Sequence, residues 1–231
     1  MTDLAVRSHL EEQMDASDLD AAVYTSVLQD LAHINRWTLT ARSALLFLER
    51  AAARLQTFSL LDVGFGHGDM LRAIARWAGK RGIGTRLAGV DLNERSAAIA
   101  REATPASLGI DFYTGDYRDL PADFDFVISS QVAHHMTGEQ LRSFLRYMEE
   151  NARCGWLISD LHRHGFAYAG FPLLARIMGV HRIVREDGRL SIARSFRPGE
   201  WPPVLSNAGI ALDTVRIVRR FPFRLCVERI R

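Results

Sequence analysis

Apolar residues at three- and four-residue spacing open the chain: Leu19, Val23, Val27, Leu31 and Ile34. That period predicts an amphipathic helix, with Ser17 and Asp18 as its N-cap candidates. A second helix is predicted through Ala41, Leu45, Leu48 and Ala52. At Phe58 the period changes. FSLLDVG is a short apolar run closed by glycine, the pattern of a buried strand. Beyond it the strand-like runs RLAGVDL, IDFYTGD, FDFVISS and GWLISDL interleave with the helical runs DMLRAIARWAGKRG, ERSAAIAREA and EQLRSFLRYMEENA. This order predicts an α/β fold, a mostly parallel sheet with helices on both faces.

The last third departs from that alternation. FAYAGFPLLARIMGV is an apolar stretch interrupted by Gly170 and Pro172, HRIVREDGR reads as a charged loop, and SFRPGEWPPVLSNAGI as a short helix with its lead-in. LDTVRIVRRFPFRLCVERI predicts two strands joined across Phe-Pro-Phe, an antiparallel pair that closes the sheet. Seven strands result. Residues 1–57 form a helical extension, and residues 58–231 the main domain with an apolar, lid-like insertion at about 162–195.

Composition narrows the class. With 231 residues, 48% hydrophobic and 24% charged, the chain is an ordinary globular one with a substantial core. No apolar run reaches the ~18 residues of a membrane span, and the acidic start lacks a secretion signal, so a cytoplasmic protein is expected. A net charge of +2 without a basic, aromatic-interleaved patch gives no reason to expect nucleic acid as a partner. Lys80 is the only lysine, which disfavours Schiff-base chemistry. Cys154 and Cys226, each in an apolar stretch, read as reduced thiols. The arginines of the closing hairpin (Arg216, Arg219, Arg220, Arg224 and Arg229) read as a solvated sheet face.

The densest signal is Leu61-Asp62-Val63-Gly64-Phe65-Gly66-His67-Gly68-Asp69, a strand entering a glycine-rich turn. A dinucleotide fingerprint places its third glycine where this chain has Asp69, and a carboxylate there repels a pyrophosphate at the helix N-terminus. A dinucleotide-dependent reductase is therefore disfavoured. Asp91 ends the second strand in GVDLN, where it can accept from both hydroxyls of a ribose. Asp116 ends the third in TGDY, placed to accept from an adenine amino group while Tyr117 or Leu92 covers the ring. One strand-end aspartate is commonly an N-cap; three in succession, the first beside G-x-G-x-G, point to the ligand edge of an open α/β sheet.

On LDVGFGHGD, GVDLN, TGDY and FDFVISSQVAHHM the chain resembles the class I S-adenosylmethionine-dependent methyltransferases, over about residues 58–160. More narrowly it is similar to the small-molecule branch of quinone-biosynthesis and type III polyketide synthase-associated methyltransferases, the latter through DLDAAVYTSVLQDLAHINRW and SDLHRHGFAYAG. The resemblance implies a Rossmann-like, mostly parallel seven-stranded sheet with an antiparallel last strand. Residues 1–57 would cover the cofactor site of a methyltransferase domain at 58–231. The cofactor would be S-adenosylmethionine, leaving as S-adenosylhomocysteine. Gly64 and Gly66 would border its methionine part, with Asp62 on the amino group and Phe65, where many members carry a smaller residue, tightening that wall. Arg36 would meet the carboxylate, Asp91 the ribose, and Asp116 with Tyr117 or Leu92 the adenine, and Ser130 at the end of the fourth strand would be a further cofactor-site residue.

Methyl transfer from a sulfonium is an in-line displacement, so the protein chiefly aligns the acceptor and excludes water. A base that takes a hydroxyl proton adds about 10²–10⁴-fold. His134 and His135, just past the fourth strand, are the base candidates, and Asp160 at the end of the fifth can orient an imidazole or act itself. His162 and His164 are weaker candidates. No His-Glu or cysteine motif supports a metal, and none is expected. SSQVAHHM in place of Asn/Asp-Pro-Pro-Tyr argues against adenine or glutamine amino groups as acceptors. The expected acceptor is a hydroxyl of an aromatic, quinone-like or polyketide-derived small molecule. Alternatives are carbon methylation of a lipid quinone and a catalytically inactive cofactor-binding partner module. Phe166, Tyr168, Phe171, Leu173, Leu174, Ile177 and Met178 would form a core helix, a lid over an apolar acceptor, or a patch on a membrane surface. Oligomeric state does not follow from these residues.

Overall fold

A computed structural model describes residues 4–16, 18–121 and 123–231. The helices α1 (Ala21–Trp37) and α2 (Ala41–Ala51) precede β1 (Thr57–Val63), α3 (Asp69–Gly79), β2 (Gly84–Asp91), α4 (Glu94–Glu102), β3 (Ile110–Thr114) and β4 (Phe124–Ser130). Then come α5 (Gly138–Asn151), β5 (Ala152–Leu161), α6 (Gly165–Ile177), α7 (Arg182–Arg194), α8 (Trp201–Asn207), β6 (Arg216–Arg220) and β7 (Arg224–Ile230). The strand order is β3-β2-β1-β4-β5-β7-β6, parallel except for β7, which runs antiparallel to both β5 and β6. This is the sheet the hydrophobic pattern predicts. Between β1 and β4 the direction of winding reverses, which opens a crevice beyond the carboxyl ends of those strands.

β1 shows why the run at Phe58 is a strand. Leu60 packs into the core beneath α2 and α3 with Phe47, Leu71 and Phe126. Leu61 and Val63 enter the opposite core with Phe144, Trp156 and Trp201. Burial on both faces, about 1.5–3 kcal/mol for each large side chain, leaves only Ser59, bonded to Asp125, and Asp62 as polar positions in the run. A third, smaller core joins Val27 and Ile34 of α1 to Ala175 of α6 and Ile183 and Val184 of α7, seating these helices above the crevice.

Two local readings are corrected. The segment HRIVREDGR lies in helix α7, not in a loop. Its buried face carries polar Asp187, Ser191 and Arg194 beside Ile183, Val184 and Ile192, so apolar periodicity alone does not reveal it. Gly188 within it gives way to the Phe171 ring, which a Cβ would meet at 2.2 Å. Helix α1 is capped by Asp20, whose Oδ1 accepts from the amides of Ala22 and Val23 at 2.9 and 3.1 Å. Asp18 is not the cap, and Ser17 lies outside the described residues. Both cysteines are free thiols, and among the described residues no helix is long and apolar enough to cross a membrane.

Candidate functional site

The crevice holds a cavity of about 720 Å³, within the range of small-molecule sites. Its floor is the carboxyl edge of β1, β2 and β4, and α1, α6 and α7 supply the walls.

The glycine turn is one half of the floor. Gly64, Gly66 and Gly68 all have left-handed backbone, at φ +78°, +53° and +77°. That conformation on alternate residues is the physical content of G-x-G-x-G. A Cβ on Gly64 would lie 2.4 Å from Cγ2 of Val132, so the β1 turn and the segment after β4 touch through a missing side chain. Asp91 fastens the loop: its carboxylate accepts from the amides of Gly66 and Asn93, each at 2.9 Å. Asp62 is fully buried, and its Oδ1 has no hydrogen-bond partner. Burial, then the neighbouring carboxylates Asp69 and Asp91, push its pKa up to about 8. Ser130 Oγ is a second buried polar atom left unpaired on the cavity. Phe65 contributes to the wall, with its ring turned onto Phe112 and across Gly89. Leu92 and Tyr117 also line the cavity.

Two of the predicted cofactor residues do not line the cavity. Arg36 is exposed and is not among the lining residues; a helix turns about 100° per residue, and Asn35 takes the inward position. Asp116 also lies off the cavity. It caps the turn at Tyr117–Asp119, and its carboxylate binds the Arg118 guanidinium at 3.0 and 2.5 Å, which holds its pKa down. The buried arginine on the cavity is Arg224 at the start of β7, an arginine that the sequence placed on a solvated face. Burial lowers its pKa to about 10, which leaves it charged at neutral pH. It donates to Gln131 Oε1 at 2.8 Å and to Thr40 Oγ1 at 2.6 Å. Gln131 in turn donates to Asn35, and Asn35 to Asp69. Its position follows from β7 pairing with β5, where Leu161 and Arg224 lie in register, so no local signal could have found it.

The other end of the cavity is built on two histidines. Asp160 Oδ1 stands 2.7 Å from His134 Nδ1, and the carboxylate also accepts from the amides of His134 and Leu161. Asp160 is buried behind the imidazole and does not line the cavity. His135 Nδ1 stands 2.9 Å from Asp15. Glu12 lies opposite both rings, with Oε1 3.5 Å from His134 Nε2 and Oε2 3.8 Å from His135 Nε2. Burial lowers the His134 pKa, but Asp160 and then Glu12 outweigh it and raise the group to about 9. Arg194 pins the turn by donating to the carbonyls of His134, His135 and Leu10. Glu12 comes from the non-helical N-terminal segment, outside every motif read from the sequence. His162 and His164 are not among the lining residues; His164 caps α6 by accepting from the Phe166 amide.

Residues 60–155 match the model of a family described as methyltransferase domain. The structure superposes on a SAM-dependent methyltransferase from Aquifex aeolicus (TM-score 0.61, 17% identity, 92% of this chain and 99% of that one). It also superposes on the plantazolicin methyltransferase BpumL, solved with a desmethylPZN analog and SAH (TM-score 0.63, 13% identity, 91% and 96%). A third is magnesium protoporphyrin IX methyltransferase from Synechocystis PCC 6803 with bound SAH (TM-score 0.55, 17% identity, 95% and 91%). The fold is a methyltransferase fold. No curated protein matches the chain by sequence. Within the methyltransferase fold the glycine turn, Asp62 and Asp91 occupy the strand edge that the sequence motifs predicted, and α1, α6 and α7 enclose the space beyond it.

Proposed function

We propose that the chain is an S-adenosylmethionine-dependent methyltransferase of small molecules, acting on a hydroxyl of an aromatic, quinone-like or polyketide-derived acceptor. The observation that carries the cofactor assignment is the unpaired Asp62 carboxyl, buried on the cavity beside the glycine turn. A buried carboxyl with no partner is costly, and the ammonium of a methionine moiety satisfies it. Arg224, with Thr38 and Thr40 on its guanidinium, is the cation for the carboxylate of that moiety, in place of Arg36. Asp91 retains lone pairs for the ribose hydroxyls after accepting the two backbone amides. Tyr117 and Leu92 wall the adenine side.

When bound, the cofactor supplies an activated methyl group on a positively charged sulfur. Methyl transfer to an acceptor oxygen would leave the cofactor as S-adenosylhomocysteine and release the hydroxyl proton, so the chain has to align that oxygen and take up the proton. His135 would receive that proton at the far end of the cavity, His134 is kept protonated between Asp160 and Glu12 and would orient the acceptor oxygen, and Asp160 and Asp15 are positioning residues for the two rings. Phe166, Phe171 and Leu174 of α6 and Ile192 of α7 make the acceptor wall apolar, which suits an aromatic or alkyl-bearing molecule. Phe166, Leu173 and Ile177 of the same helix stay exposed, and this favours a lipid-like acceptor, a quinone ring carbon included, as the second reading.

Calorimetric titration with S-adenosylhomocysteine, with NADH in parallel, tests the cofactor half. Micromolar binding of the first and none of the second is the expected result. No binding to protein free of copurified ligand overturns it. In the same assay Asp91→Ala is expected to weaken S-adenosylhomocysteine by more than about 1 kcal/mol, since it removes a charge-assisted acceptor and loosens the Gly66 loop. Unchanged affinity would remove Asp91 from the ribose site.

A further inference from the structure

We propose that Glu12, His134 and His135 form a binding site for a divalent metal ion of the zinc class at the acceptor end of the cavity. Each side chain offers one ligand atom, and the three atoms lie within 4.8 Å of one another. Two ligands each ~2.0–2.1 Å from a tetrahedral ion stand roughly 3.3 Å apart, close to the 3.5 Å between Glu12 Oε1 and His134 Nε2. Both of those atoms are buried, and their one close polar contact is the long 3.5 Å ion pair they make with each other, so a metal ion would take the place of the proton that they share.

The arrangement around the three residues is that of metal-binding histidines. Each imidazole has its Nδ1 held by a carboxylate, Asp160 for His134 and Asp15 for His135, which leaves both Nε2 atoms turned toward Glu12. Such outer carboxylates fix the tautomer and make the ring a better ligand. The two rings lie 4.3 Å apart at 38°, and both Nε2 atoms stand within 3.8 Å of a Glu12 oxygen. Three carboxylates surround the point, Glu12, Asp15 and Asp160, and the nearby guanidinium of Arg194 is spent mainly on backbone carbonyls. All three ligand residues line the cavity, so the remaining coordination positions face the space where the acceptor enters. Three protein ligands with an open position is the pattern of a catalytic rather than a structural zinc site. With the ion in place Glu12, His134 and His135 would serve as ligands and not as proton acceptors, and the ion would bind an acceptor with an ionisable oxygen and favour loss of its proton to solvent.

Binding of the ion does not depend on the methyl-transfer reading; its use in the reaction does. The test is titration of chelator-stripped full-length protein with Zn²⁺ alone, followed by calorimetry and by metal analysis after gel filtration. One Zn²⁺ per chain at micromolar affinity or tighter is expected. His135→Ala, at a partly exposed position that tolerates truncation, is expected to weaken it at least 100-fold, and Asp15→Asn about 10-fold. Zinc uptake by His135→Ala equal to that of the wild type, or none by either, overturns the proposal. A titration of zinc-free wild-type protein with S-adenosylhomocysteine keeps the two readings apart: its failure beside intact zinc binding sinks the cofactor assignment alone.

Discussion

Asp160→Ala is expected to destabilise the fold by about 3–5 kcal/mol, the cost of removing one partner from a buried charged pair. Asp160 is fully buried and accepts from the His134 ring at 2.7 Å, the His134 amide at 2.9 Å and the Leu161 amide at 2.7 Å. Alanine leaves the ring and both amides without their acceptor in a site that water reaches poorly. Urea denaturation of Asp160→Ala, His134→Ala and the double variant measures the coupling. The double variant is expected to lose clearly less than the sum of the two, because the second truncation removes a group already stranded. Additive losses, or a loss under about 1 kcal/mol for Asp160→Ala, would show that the pair is not the buried unit described above.

Asp62→Asn is expected to weaken S-adenosylhomocysteine binding by about 2–3 kcal/mol, roughly 30–150-fold, while leaving the ligand-free fold intact. The direction follows from protonation. In the ligand-free protein the buried carboxyl holds its proton up to about pH 8, and amide for carboxylic acid is then a neutral exchange. The ammonium of the ligand requires the carboxylate, so binding expels that proton. Wild-type affinity is therefore expected to rise from about pH 6 to 8 and to level off above the carboxyl's own pKa of about 8. Asp62→Asn loses this slope. The same shift acts on stability with the opposite sign. Between the ordinary value of 3.8 and about 8 the folded state holds the extra proton, so the ligand-free wild type loses stability as pH rises through that window. Calorimetry at three pH values, in buffers of different ionisation heat, checks both the slope and the released proton. A flat profile with no buffer dependence would place the ammonium elsewhere.

These two residues also mark how far the sequence was readable. Asp62, Gly64, Gly66 and Asp91 belong to strand ends and turns, where backbone direction and side-chain alternation follow from a handful of neighbouring residues. The expected edge of the sheet is therefore the observed one. Asp116 and Arg36 show the limit of the same reasoning. Each lies beside a lining residue, Tyr117 in one case and Asn35 in the other. One position along a turn or helix is enough to send a side chain to Arg118 or to solvent. For α7 the obstacle was chemical: a buried face made partly of Asp187, Ser191 and Arg194 carries no apolar period.

By itself the sequence determined the layered α/β fold, the strand order's ligand edge and the residue types waiting there, because burial on two faces and left-handed glycines are local demands. Only the tertiary structure decided which distant groups meet at the histidine end of the cavity. Glu12 reaches His134 and His135 across more than a hundred residues. Arg224 arrives through the antiparallel insertion of β7 beside β5. Neither approach leaves a spacing in the chain, since contacts of that range are set by how α1, α6 and α7 pack over the sheet and not by any period along it.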